Sequence, residues 1–181
     1  NYGSFVAITA IANLVFPFVP LGSEHLLVKN VSINRATFST NWGNGLVLSS
    51  VNGVFFTLVL FLLTPLLFPG NIPWQAILLI LIADLIGLAI LDLGAKSLMA
   101  GDMIKKNAQL GILNTCGKLL AALSLMVFFP NPDVVSWSYL YSASSVVMSI
   151  LTILLITKLL GLPRPVFSEL KSNLVQGFYF S

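Results

Sequence analysis

Charged side chains are scarce in this sequence. Nine Lys or Arg and six Asp or Glu residues make up 8% of the 181 residues, whereas a typical soluble domain has about 25%. No residue between Arg35 and Asp84 is charged. Hydrophobic residues account for 57% of the chain, and the mean hydropathy is +0.96. This composition excludes a water-soluble domain and predicts an all-α polytopic membrane protein, because long apolar runs cross a bilayer as helices.

Several functional signatures are also missing. The single cysteine, Cys116, excludes an internal disulfide and a multi-cysteine metal site. The net charge of +3 comes without a basic cluster dense enough for nucleic acid. The sequence has no P-loop, no His/Glu metal spacing, no G-x-S-x-G and no glycine-rich nucleotide motif. We therefore expect no catalytic residue, no metal, no cofactor and no enzymatic activity.

Five apolar stretches are long enough to span a bilayer, which takes about 20 residues. They cover approximately residues 3–21, 43–68, 74–99, 108–129 and 134–157. We expect residues 158–173 to form a cytoplasmic linker and residues 174–181 to start another membrane helix. The chain starts on Asn1 within an apolar stretch, so we expect it to be a piece of a longer membrane protein.

Basic residues alternate along the connections between these stretches. The Pro- and Asn-containing turns at 69–73 and 130–133 have no Lys or Arg, whereas the other three connections do. The basic residues of these three connections are Lys29 and Arg35, then Lys105 and Lys106, then Lys158, Arg164 and Lys171. This alternation follows the positive-inside rule and predicts that the basic connections are cytoplasmic and both proline turns are outside.

The third stretch contains three charged residues. Lys96 lies about 33 Å along it and Asp92 one turn earlier, which predicts an ion pair at the cytoplasmic interface. Asp84 lies about 15 Å in, near the bilayer centre, where a charge costs about 2.5–3.5 kcal/mol. Lys118 of the next stretch reaches a similar depth. The two form either a buried pair that only fixes packing or the wall of a polar cavity.

Other polar residues extend this pattern. Asn114 is one turn from Lys118 and continues the polar stripe. Asn52 flanks a ridge of small residues, Gly45, Ser49 and Gly53, that favours close helix packing. The remaining candidate for a cavity wall is Asn13.

The first stretch carries Pro17, Pro20 and Gly22 and is predicted to be kinked. The kink is either static or a bend that moves during transport. Beyond it we expect a cytoplasmic mouth with the gate candidates Glu24, His25, Lys29 and Arg35. His25 is either an ordinary interfacial histidine or part of a proton-responsive gate, because histidine titrates near neutral pH.

Four segments together resemble one known family. They are residues 2–30 ("YGSFVAITAIANLVFPFVPLGSEHLLVKN"), 41–53 ("NWGNGLVLSSVNG"), 83–125 and 140–165. They are similar to helices two to six of the first lobe, and the inter-lobe linker, of the O-antigen type oligosaccharide flippases. These belong to the polysaccharide transport group within the multidrug/oligosaccharidyl-lipid/polysaccharide exporter superfamily.

The resemblance implies two six-helix lobes around a central cavity in the full protein. It implies export of undecaprenyl-pyrophosphate-linked sugars, as in lipopolysaccharide biosynthesis, across a bacterial or archaeal cytoplasmic membrane by alternating access. The implied partners are the lipid-linked oligosaccharide, membrane lipids, H⁺ or Na⁺ as coupling ion, and polysaccharide polymerase machinery. Cavities of the family tend to be cationic, whereas Lys118 is the only deep base here. This difference either leaves the pyrophosphate contact unassigned or assigns it to segments outside this sequence.

Three other functions are compatible with parts of the pattern. In a multidrug/cation antiporter of the same superfamily, Asp84 would be the coupling acid. A polytopic polysaccharide polymerase or ligase needs large external loops with acids or arginines, and the external turns here are short and lack Glu and Arg. A non-transporting membrane scaffold is the third alternative.

Overall fold

The computed structural model describes residues 2–67 and 72–168. This part of the chain is helical and contains no β-strand. The α-helices are α1 (Tyr2–Val15), α2 (Ser23–Ile33), α3 (Phe38–Leu67), α4 (Trp74–Leu81), α5 (Leu88–Ala100), α6 (Ile104–Phe128) and α7 (Val134–Leu160). Short 3₁₀ turns occupy Phe16–Phe18 and Arg35–Thr37, and a π-helix, Ile82–Gly87, joins α4 to α5.

Four helical segments are long and apolar enough to cross a membrane. They are Arg35–Leu66, Trp74–Ala100, Ile104–Phe128 and Val134–Leu160. The shortest has 25 residues, or about 37 Å at 1.5 Å per residue, against a hydrocarbon core of about 30 Å. Helices α1 and α2 qualify as a fifth span if taken together. The prediction of an all-α polytopic membrane protein is confirmed.

The first span is broken rather than merely kinked. Helix α1 ends at Val15, and the chain turns through Pro17 and Pro20 before α2 begins at Ser23, with a 42° bend between the two halves. Gly22 adopts a φ of +68° at this turn, a left-handed conformation that glycine adopts without steric cost. The connection between the first two predicted stretches, residues 22–42, is largely helical. Helix α2 occupies residues 23–33 and packs on α3 and α5.

The segment formed by α4, the π-helix and α5 is the central span. About two thirds of its apolar stretch is buried, compared with 11% for α6, and it contacts α1, α2, α3, α6 and α7. The small-residue ridge of α3 packs against it as predicted. A Cβ added to Gly45 would meet Leu93, one added to Gly53 would meet Ile86, and Ser49 is fully buried. These small residues therefore let α3 pack closely on the central span.

Helix α7 packs on a different side of the central span at two more glycines. A Cβ on Gly87 would collide with the Ser145 hydroxyl, and a Cβ on Gly94 with the Thr152 methyl group. Small residues therefore let both α3 and α7 pack closely against the central span.

The chain that follows α7 is hydrogen-bonded to the first turns of α3. The Arg164 amide donates to the Ser39 carbonyl over 2.9 Å, and the Val166 amide donates to the Asn44 side chain over 2.8 Å. Gly43 has no room for a Cβ against the backbone of Arg164 and Pro165. The linker predicted from residue 158 begins after Leu160, where α7 ends. Residues 169–173 of it, the helix predicted at 174–181 and most of the turn at 69–73 lie outside the described residues.

The predicted topology is open to a labelling test. With Cys116 replaced by serine, a cysteine at Asn131 should react with an impermeant thiol reagent in intact cells. A cysteine at Ser32 should react only after the membrane is permeabilised. Both positions are exposed on the protein surface, so a difference between them reports the side of the membrane. Labelling of Ser32→Cys alone in intact cells would reverse the topology.

Candidate functional site

The candidate site includes the π-helix of the central span. A π-helix bonds i to i+5 and fits one extra residue into an α-helical segment, which displaces backbone carbonyls from their usual partners. Two serines of α7 donate to these carbonyls. Ser145 bonds the Ala83 carbonyl over 3.1 Å, and Ser149 bonds that of Gly87 over 3.3 Å. The contact of Ser145 with Gly87 brings α7 close enough for both bonds.

Asp84 lies within this π-helix and is 1% exposed. Its Oδ1 accepts a 2.6 Å hydrogen bond from the Tyr141 hydroxyl of α7. The same hydroxyl accepts a 3.2 Å bond from the Lys118 ammonium of α6, which also lies 4.9 Å from the centre of the tyrosine ring. The acid and the base predicted at similar depths are therefore brought together through Tyr141. The structure shows no direct ion pair between them within 4 Å.

Tyr141 is a buried aromatic residue. Aromatic side chains near the end of a membrane span are usually interfacial, but this one is 6% exposed. Phe5 of α1 packs edge-on against it, with ring centres 5.4 Å apart, and Trp137 lies 5.6 Å away. These rings hold the tyrosine against Asp84 and Lys118.

One oxygen of Asp84 is left without a partner. Its Oδ2 is buried and makes no hydrogen bond. The nearby Thr9 hydroxyl of α1 donates to the Phe5 carbonyl over 3.0 Å. Buried polar groups in proteins are nearly always bonded, and Thr9 is close enough to interact with the Asp84 carboxylate.

A cavity of about 300 Å³ lies between the break in the first span, α5 and α6. Asp92 and Asn114 line it, together with Phe16, Leu91 and Asn107. The Asn114 Oδ1 is buried and makes no hydrogen bond in the described part of the chain. Asn114 is one helical turn from Lys118, so α6 connects this cavity to the Asp84–Tyr141–Lys118 chain.

Glu24 is a buried side chain at the start of α2. It is 7% exposed, with its Oε1 3.5 Å from the His25 Nε2 and its Oε2 buried without a partner. Asp92 and Lys96 lie within electrostatic range of it. The described residues show no contact ion pair between Asp92 and Lys96 within 4 Å. Instead, Asp92 lines the cavity, and the positive charge of Lys96 interacts with both Asp92 and Glu24.

The other predicted site residues have different positions. Asn52 donates to the Val19 carbonyl over 3.0 Å and so bonds the broken first span to α3. Asn13 and Lys29 are exposed on α1 and α2. Arg35 pairs with Asp102 at 2.6 Å, with both side chains exposed, and joins the α2–α3 connection to the α5–α6 turn. These residues are not part of the Asp84–Tyr141–Lys118 chain.

Three residues of the site were not predicted: Tyr141, Ser145 and Ser149. They are spaced by four and form one face of α7, a signal present in the sequence. Serines in membrane helices usually serve packing, which hides such a stripe among ordinary small residues.

No family model, curated protein or solved structure matches this chain. The family resemblance therefore has no support from these comparisons. The structure itself supports a multi-pass membrane protein with a buried polar chain and a cavity.

Proposed function

We propose that this chain is part of a membrane transporter that moves lipid-linked oligosaccharide units across the membrane by alternating access. The observation that carries the proposal is the polar chain Asp84–Tyr141–Lys118. It joins the central span, α7 and α6, and its Lys118 lies one helical turn from Asn114, which lines a cavity together with Asp92. Ionisable residues inside membranes are costly, and they typically mark the pathways of solutes or ions.

The physical requirement for such a transporter is a polar path through hydrocarbon. A glycan cannot cross about 30 Å of apolar core unaided. The described bundle combines apolar outer surfaces, on α3, α6 and α7, with a small number of interior polar groups. Ionisable groups in the interior of the bundle favour a transporter over a scaffold.

Lys118 has the central role in this proposal. Its ammonium is only partly buried and donates to the Tyr141 hydroxyl, which in turn donates to Asp84. A lysine ammonium is a compact positive charge that donates hydrogen bonds to phosphate oxygens. Lys118 would therefore contact the pyrophosphate of the carrier lipid. Asn114 and Asp92 would then contact sugar hydroxyls in the cavity.

The break in the first span supplies a place for movement. The 42° bend at residues 16–22 lies against the cavity through Phe16. Discontinuous helices next to a binding site are a recurrent feature of transporters. We infer that closing or opening of this bend exposes the cavity to one side of the membrane at a time, with Glu24 and His25 moving on α2.

The membrane and the coupling ion follow from the same proposal. Carrier lipids of this type belong to the cytoplasmic membrane of bacteria or archaea. Coupling to H⁺ or Na⁺ would use the unpartnered Oδ2 of Asp84. Polysaccharide polymerase machinery would take the product on the outer side.

The test of this function is a lipid-linked intermediate assay. In cells that lack the full-length gene, repeat units should accumulate on the cytoplasmic leaflet and surface polysaccharide should fall. A Lys118→Ala variant should restore delivery at least tenfold less well than the native protein at equal abundance, since a charge-assisted contact contributes about 1.5–3 kcal/mol. The matched control is Lys158→Ala, an exposed lysine at the end of α7, which should restore delivery fully.

Other results would contradict the proposal. Repeat units that are never assembled, or that reach the outside unpolymerised, would indicate an enzyme. Normal polysaccharide together with loss of resistance to lipophilic cations, most severe in Asp84→Asn, would indicate the antiporter alternative.

A further inference from the structure

A second cavity lies at the opposite end of the bundle from the basic connections. It measures about 380 Å³ and opens between α1, α6 and α7. Its walls are Phe5, Leu125, Met126, Val134 and Trp137, and Asp133 lies at its rim. Apolar walls with one placed polar group are typical of ligand sites, which range from about 300 to 1,000 Å³.

Asp133 is an isolated charge. It is the only charged residue between Lys118 and Lys158, and the chain has no charge before Glu24. Its Oδ1 accepts a 2.7 Å bond from the Ser136 amide and so caps α7. These bonds from Ser136 hold the pKa of the Asp133 carboxyl below its usual range. The rim is therefore negative at neutral pH, and a carboxylate with about four lone-pair sites still has capacity for a further donor.

The surroundings define the kind of ligand. The cavity opens at the end of two membrane helices, where apolar walls meet the headgroup layer, so an occupant needs an apolar tail and a polar head. The tail would lie against Leu125 and Met126 of α6, which line the cavity. The head would lie beside a lone carboxylate. This charge attracts a cationic group and repels a headgroup whose only charge is its phosphate. A primary ammonium adds hydrogen bonds that a trimethylammonium group lacks.

We propose that this cavity binds a phospholipid with a primary ammonium headgroup, with an acyl chain in the apolar cleft and the ammonium on the Asp133 carboxylate. The proposal is independent of the transported solute. It assigns Asp133 a ligand contact in addition to its cap, and it makes the outer junction of α1, α6 and α7 a lipid site.

The test uses native mass spectrometry of the full-length protein, released from nanodiscs of phosphatidylethanolamine, phosphatidylglycerol and phosphatidylcholine in equal amounts. Phosphatidylethanolamine should be retained preferentially. Asp133→Asn should reduce its retention about tenfold, while the asparagine still caps α7. Leu125→Trp should fill the cleft and displace the lipid. Leu123→Trp, on an exposed face of the same helix, should have no effect.

Three results would overturn the lipid site. One is equal retention of phosphatidylglycerol. Another is an Asp133→Asn variant that retains phosphatidylethanolamine like the native protein. The third is displacement by Leu123→Trp as strong as by Leu125→Trp. None of them bears on Lys118 or on delivery of repeat units, so failure here is distinguishable from failure of the proposed function.

Discussion

Tyr141→Phe should destabilise the folded protein by about 3 kcal/mol, because it removes one hydroxyl that serves two charged groups. Asp84, which is 1% exposed, would lose its 2.6 Å hydrogen bond, and Lys118 would lose its acceptor at 3.2 Å. A hydrogen bond to a charged group contributes about 1.5–3 kcal/mol, and removing one partner of a buried charge costs about 3–5 kcal/mol. Reversible unfolding in mixed micelles measures the change. Tyr139→Phe, an exposed tyrosine of the same helix, should be nearly neutral.

A double-mutant cycle separates the contacts. Asp84→Leu and Tyr141→Phe together should cost less than the sum of the single changes, with a coupling of about 1.5–3 kcal/mol. Asp84→Leu with Lys118→Met should couple more weakly, because the two charges meet only through the tyrosine. Additivity within about 0.5 kcal/mol for both pairs would contradict the described polar chain.

Gly94→Ala should destabilise the contact between the central span and α7 by about 1–3 kcal/mol, the usual cost of overpacking. The added methyl group would collide with the Thr152 methyl. Thr152→Ser removes that methyl and keeps the hydroxyl, which donates to the Met148 carbonyl over 2.8 Å. The double variant should therefore recover most of the lost stability in the same unfolding measurement.

Gly111→Ala is the matched control for this pair. Gly111 has nothing within 4 Å of the added atom, so the change should be neutral or gain up to about 1 kcal/mol from helix propensity. Equal losses for Gly94→Ala and Gly111→Ala, or no recovery with Thr152→Ser, would show that the α5–α7 packing is different.

The sequence predicts the spans well because the lipid core imposes a length and an apolar composition on each one. It predicts the similar depth of Asp84 and Lys118 from counting residues along two antiparallel helices. The burial of Glu24 was not predictable in this way. Pro17 and Pro20 mark the break correctly, but local rules do not show that the chain continues as a buried helix afterwards.

The contacts of Asp84 were unpredictable for a different reason. Counting by 3.6 residues per turn assumes one regular helix through the central span. The π-helix changes that count within the span, so the side facing α7 cannot be derived from spacing. Tyr141 was missed because an aromatic near the end of a span is usually interfacial, and only packing against Phe5 and Trp137 reveals its burial.

The π-helix has a consequence for how the length of this span can vary. Six residues, Ile82–Gly87, occupy a stretch where a regular α-helix would fit one fewer. Removing one residue elsewhere in a span rotates everything beyond it by about 100°. A deletion within this stretch can be absorbed by conversion to α-helix, so that Trp74–Leu81 and Leu88–Ala100 keep their faces toward their neighbours. The bundle would then still fold with the shorter chain, but the carboxylate of Asp84 would lose its orientation. The packing of this span can therefore be kept while the polar contacts at its centre are lost.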